Sequence, residues 1–149
     1  MDNVIHQSRT LPCSVTQAFA CFTQNALLTR WLTADGNVSA EAGGAYELFW
    51  QPDDRENNST IGCKITALCE NQLLAFEWKS PVQFKAFANQ ADPLTHVVVS
   101  FVEHASGCQI HLVHSGWRSS ENWLSAYQWQ QNAWQMGLDN LVKLIEKSQ

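Results

Sequence analysis

The stretch ENWLSAYQWQQNAWQMGLDNLVKLIEK, residues 121–147, decides the fold. It holds no proline, and Ser119 or Ser120 can cap its start. Trp123, Tyr127, Gln130, Trp134, Leu138, Leu141 and Ile145 advance by three or four residues, so they share one stripe of a helix from about Glu121 to about Lys147. Ala126, Ala133, Gly137 and Leu144 flank that stripe. A stripe so rich in large rings needs a large apolar partner. A curved antiparallel sheet closing on the helix is the economical solution, because a sheet face and a helix stripe bury each other.

The residues upstream supply such a sheet. Val4 to Leu11 reads as a first strand ending at Pro12, and Ser14 then caps a short helix on which Val15, Ala18, Phe19 and Phe22 recur at helical spacing. Residues 25–32 predict a second short helix, closed by the turn chemistry of Asp35-Gly36-Asn37. Strand candidates follow at Ala45 to Trp50, Thr60 to Leu68, Leu73 to Lys79, Leu94 to Glu103 and Gln109 to Trp117. The turns at Glu70-Asn71 and Ser106-Gly107 are short, which favours antiparallel neighbours. Residues 51–59 read as a polar loop, as do residues 80–92 between Pro81 and Pro93. No repeat or linker divides the chain, so a single domain over residues 1–149 is expected.

Composition narrows the classes of partner. Nine Lys and Arg against fourteen Asp and Glu give a net charge of −5, and the cations are scattered singly along the chain. That pattern argues against a nucleic-acid reader, which needs clustered cations to displace counterions, and against an anionic membrane surface. No apolar run approaches the roughly 20 residues that cross a bilayer, and the N-terminal Met1 to Gln7 lacks the basic and apolar regions of a leader, so a soluble cytoplasmic protein is expected. Five cysteines without a Cys-x-x-Cys spacing read as reduced core residues. Seven Trp and seven Phe in 149 residues are more rings than a minimal core requires.

Several short patterns, in order, resemble the SRPBCC or START-like (Bet v 1-like) superfamily, and within it the AHSA1-like branch related to the C-terminal domain of the Hsp90 ATPase activator. They are Leu27-Leu28-Thr29-Arg30-Trp31, Gly43-Gly44-Ala45-Tyr46, Gly62-Cys63-Lys64-Ile65 with Leu74-Ala75-Phe76-Glu77-Trp78, Leu112-Val113-His114-Ser115-Gly116-Trp117, and Trp134 leading to Leu138 and Leu141. The resemblance spans essentially the whole chain. It implies an α+β helix-grip fold, with about seven antiparallel strands wrapped on the long C-terminal helix and often a cavity between them. The superfamily includes lipid carriers, hormone receptors, cyclases and co-chaperone domains, so the fold does not fix the chemistry.

The candidate chemistry is sparse. His111 and His114 are three residues apart, which on a strand sends them to opposite faces and prevents shared metal ligation, so no metal or cofactor is expected. His114 shares a face with Ile110 and Leu112; if that face meets the helix, its ring needs a polar partner. Glu47 and Glu77 alternate away from their bulky neighbours and form no paired-carboxylate site. Gly43-Gly44 precedes a strand rather than a helix, so it is turn and close-packing geometry, not a phosphate loop. Gln130 is an amide in the middle of an apolar stripe, which requires a buried partner or a guest.

These residues predict a site lined by Trp78, Phe101, Leu112, His114, Trp123, Tyr127, Gln130 and Trp134, holding a small hydrophobic or aromatic ligand. Two alternatives stand beside it. One is an interaction domain for an Hsp90-type chaperone, as the resemblance implies. The other is a cyclase or hydrolase using His114 as general acid or base, for which no second catalytic group can be named.

Overall fold

A computed structural model describes residues 3–148; Met1 and Asp2, which belong to the N-terminal stretch read above for a leader, lie outside the described residues. The elements run in the order β1 (Ile5–Leu11), α1 (Val15–Thr23), α2 (Asn25–Leu28), β2 (Asp35–Val38), β3 (Tyr46–Phe49), β4 (Ile65–Cys69), β5 (Leu73–Trp78), α3 (Lys85–Ala88), β6 (Thr95–His104), β7 (Gly107–Ser115) and α4 (Glu121–Lys147). Five strands form an antiparallel sheet in the order β1-β7-β6-β5-β4, and β2 pairs with β3. The two sheets are stitched where Tyr46 N–H donates to Cys63 O and Ile65 N–H to Gly44 O, both at 2.8 Å. Seven strands therefore wrap the terminal helix in a helix-grip arrangement.

The long helix forms as its periodicity predicts. Ser120 caps it, accepting from Trp123 N–H, and Trp123, Gln130, Trp134, Leu138, Leu141 and Ile145 are buried along one stripe, while Tyr127 is half-buried at its margin. Each fully buried leucine on this stripe contributes about 1.5–3 kcal/mol. Two contacts fix the helix beside β1: Arg9 pairs with Asp139 at 3.1 Å, and Gln7 Nε2 donates to Gln131 O at 2.9 Å. Facing the helix, Leu112 and Ile110 of β7, Val97 and Val99 of β6 and Phe76 of β5 are fully buried. Tyr46 stacks on Phe76 with ring centroids 3.9 Å apart and donates its hydroxyl to Phe22 O at 2.7 Å, locking β3 to α1.

Three sequence expectations change. Asp35-Gly36-Asn37 does not end a helix; α2 stops at Leu28, and residues 35–38 form β2, where Asn25 Oδ1 accepts from Val38 N–H at 2.9 Å. The strand expected from Thr60 begins only at Ile65. Before it, the Thr60 hydroxyl stands in for a ladder partner, accepting from Leu48 N–H at 2.8 Å and donating to Tyr46 O at 3.0 Å. Residues 80–92 are not wholly loop: a 3₁₀ turn at Val82–Phe84 leads into the single turn of α3, and Asn89 closes the segment on the backbone of Ser80.

Candidate functional site

β5 ends in Trp78 and runs on through Lys79, Ser80 and Pro81, while α4 passes opposite with Trp129, Gln130, Ala133, Trp134 and Gly137. The turn after α2 adds Trp31 and Leu32, and the end of β3 adds Trp50. Between these walls opens a cleft of about 740 Å³. Five of the seven tryptophans line it: Trp31, Trp50, Trp78, Trp129 and Trp134. Trp78 lies at its floor, with ring centroids 5.0 Å from Trp134 and 5.8 Å from Trp50. The Trp50 ring is held by its indole N–H, which donates to Leu32 O at 2.8 Å.

Gln130 is the polar group inside this aromatic wall. It is 4% exposed, and its Oε1 accepts from Trp78 Nε1 at 3.1 Å. An indole N–H only donates, so this bond fixes the amide orientation and turns the NH₂ group away from Trp78. The Nε2 atom has no protein partner among the described residues, and Gln130 lines the cleft. Gln7 Oε1 is the one fully enclosed side-chain polar atom without a partner among the described residues, so the Gln130 NH₂ is open to the cleft, where water or a guest can accept from it.

Of the eight residues predicted for the site, Trp78, Gln130 and Trp134 line the cleft. The other five lie elsewhere. Phe101 packs edge-on against Phe19 and Phe22 at 5.3 and 5.6 Å, and Leu112 is wholly buried in the sheet-to-helix core. Trp123 and Tyr127 surround Trp117 at 6.3 and 5.9 Å, and Phe87 of α3 closes on Trp123 at 5.3 Å, so the N-terminal part of the stripe is filled by side chains.

His114 sits behind the cleft wall and is fully buried. Trp134 Nε1 donates to its Nδ1 at 3.0 Å, so the ring proton lies on Nε2, which donates to Thr95 Oγ1 at 3.0 Å. Burial, reinforced by His96, pushes its pKa down to about 3. Both nitrogens are committed, which makes His114 a neutral pillar joining β6, β7 and α4.

Trp31, Trp50 and Trp129 line the site although the sequence pattern does not place them there. The first two come from segments far from the helix in sequence, and Trp129 lies off the buried stripe at 42% exposure. A tryptophan beside a buried stripe, one residue before a buried glutamine, is the signal that marks it. Glu47 and Glu77 are half-buried, bonded to the backbone N–H of Gly62 and Lys64 and remote from the cleft lining. Four cysteines are buried, with the Cys13 and Cys63 thiols pushed up to about 12 chiefly by burial. No cluster of three or more His, Cys, Asp or Glu able to hold a metal occurs among the described residues.

A family match spans nearly the whole length of this fold. The model of the Activator of Hsp90 ATPase homolog 1-like protein family matches residues 12–146. The chain belongs to this family. Among solved structures it is similar to protein MLL2253 from Mesorhizobium loti, with a TM-score of 0.79 and 16% identity over 99% of both chains. It is also similar to the Aha1 dimer from Colwellia psychrerythraea, with a TM-score of 0.74 and 15% identity over 97% of this chain and 96% of that one. DynU16, a putative protein in the dynemicin biosynthetic locus, matches at a TM-score of 0.71 and 13% identity, over all of this chain and 49% of that one. No curated protein matches the chain. At these identities the structural neighbours establish the fold, and the site must be argued from its own residues.

Proposed function

We propose that this family member binds a small hydrophobic or aromatic molecule in the cleft between β5 and α4. The observation that carries the reading is Gln130: its amide oxygen is taken by Trp78 while its NH₂ group opens to the cleft, in a wall of five tryptophans. The volume lies within the range of about 300–1,000 Å³ typical of small-molecule sites, which are mostly apolar with a few placed polar groups. Catalysis is not part of this reading, since His114 presents no free nitrogen to the cleft. Titration of the intrinsic tryptophan fluorescence with a panel of lipids and aromatic metabolites, repeated by calorimetry, tests it. Absence of saturable binding to any member sinks the reading.

Contact with an Hsp90-type chaperone is the second reading, supported by the description of the matching family and by Met136 at 69% and Trp129 at 42% exposure beside the cleft. Exposed large apolar side chains at a rim suit protein contact as well as ligand capture. Addition of the protein to such a chaperone should then change its ATPase rate; an unchanged rate at saturating concentration removes this reading.

A further inference from the structure

Four of the nine cations that look scattered along the sequence converge in the fold. Alongside the tryptophan cleft runs a second, shallower groove of about 610 Å³, lined by Arg30, Lys143 and Lys147 together with Thr29, Thr33 and Leu144. It is continuous with the cleft, because Trp31, Leu32, Trp50 and Asn140 line both. Asn140, Lys143, Leu144 and Lys147 are spaced by three, four and seven residues, so one face of α4 presents them, and Arg30 is brought over that face by the turn that follows α2.

Among the described residues no carboxylate side chain lines either the groove or the cleft, where the charged residue is Lys79. The ion pairs among the described residues, Arg9 with Asp139 and Arg55 with Asp35, involve none of these four cations. Lys79 donates to the Ile61 carbonyl at 2.6 Å. In a chain of net charge −5, a continuous surface with four cations and no anion is a local reversal of sign. Lysines in the last turns of a helix are ordinary partners of its dipole. Arg30 belongs to a different segment, and the dipole of α4 gives no reason for it to converge on them.

Resting on the cleft reading above, we infer that the ligand is an anionic amphiphile, whose apolar part lies among the tryptophans and whose carboxylate or phosphate head is seated by Arg30, Lys143 and Lys147. A cationic head would meet like charge, and a neutral one would leave the groove unused.

Three matched probes test this on the full chain: 2-naphthamide, 2-naphthoate and 2-naphthyl phosphate, titrated by tryptophan fluorescence and calorimetry. The two anions are expected to bind at least about tenfold tighter than the amide at low ionic strength, where exposed charges act over distances of about 30 Å. Added salt should shrink that ratio in the unmodified protein, a measurement that requires no variant to fold. The double variant Arg30→Gln/Lys143→Gln should bring the ratio below about twofold, while Lys64→Gln, an exposed lysine lining neither surface, should leave it intact. Tighter phosphate than carboxylate, or the reverse, assigns the head group. Equal binding of amide and anions, or a preference that survives the double variant, overturns the anionic head while leaving the cleft reading standing. No saturable binding by any of the three, nor by the wider panel, takes both down.

Discussion

Trp134 Nε1 donates to His114 Nδ1 at 3.0 Å, and this one bond ties the middle of the terminal helix to the central strand pair beneath it. It sets the tautomer of the imidazole, and the second nitrogen then reaches Thr95 on the neighbouring strand. The same indole ring forms part of the cleft wall. The cleft is thus framed by a buried hydrogen-bond chain running Trp134, His114, Thr95, whose polar groups position its wall.

Protonating His114 must break that chain, because the charged ring has no acceptor left for Trp134. The folded-state pKa of about 3 lies below the ordinary value of 6.5, so the unfolded chain binds the extra proton more readily. The stabilisation is complete above about pH 6.5 and is lost progressively as the pH falls from there toward 3, at up to about 1.4 kcal/mol per pH unit. Urea unfolding at a series of pH values should show this slope, and His114→Gln should flatten it relative to the parent. Identical slopes in the two proteins would remove His114 as its source.

Gln130 and Trp78 should behave as a coupled pair. Gln130→Leu leaves the indole N–H of Trp78 buried without an acceptor, at a cost of about 1–3 kcal/mol. Trp78→Phe removes that donor and frees the amide oxygen. The double variant should be less destabilised than the sum of the single changes, by about 0.5–1.5 kcal/mol, since neither orphaned group remains. A cycle of four denaturation curves measures the coupling; strict additivity would show that the bond adds nothing net.

The architecture was legible where periodicity was strong. Helix α4, from Glu121 to Lys147, and the alternating burial of β7 are written in spacings of three, four and two. Legibility failed where a side chain replaces backbone pairing or where burial depends on distant segments. Thr60 substitutes its hydroxyl for a ladder partner, so the strand expected from it starts five residues later. For the cleft, the stripe pointed to Gln130 and Trp134, but it could not show that Phe87 and Trp117 fill the N-terminal part of the same face. Nor can a linear count of lysines reveal that Arg30 lines one groove with Lys143 and Lys147.

The paired glycines before β3 make opposite demands. Gly43 adopts φ +83° with open space where a methyl group would sit, so Gly43→Ala strains the backbone alone, by about 1 kcal/mol. Gly44 has its would-be Cβ 2.2 Å from the carbonyl oxygen of Ser39, and its own backbone accepts from Ile65 N–H in the seam between the two sheets. Gly44→Ala must therefore push the seam apart and should cost several-fold more. Thermal unfolding of the two variants ranks them, and equal midpoints would contradict the close-packing role of Gly44.

Trp129 allows binding to be separated from folding. Its ring is 42% exposed, lines the cleft, and meets Phe84 edge-on at 6.2 Å. Just over half of that residue is covered, so Trp129→Ala should lower the unfolding free energy by only about 1–3 kcal/mol. The same truncation takes a large flat surface from the cleft wall, and affinity for an aromatic ligand should fall about tenfold or more. Trp134→Ala makes the contrast, because that ring is 1% exposed and holds His114, so its loss should destabilise by about 3–5 kcal/mol as well as weaken binding. Calorimetric titration paired with urea unfolding on both variants decides the matter: if Trp129→Ala binds an aromatic probe as tightly as the parent does, the ligand does not lie against the Trp129 ring.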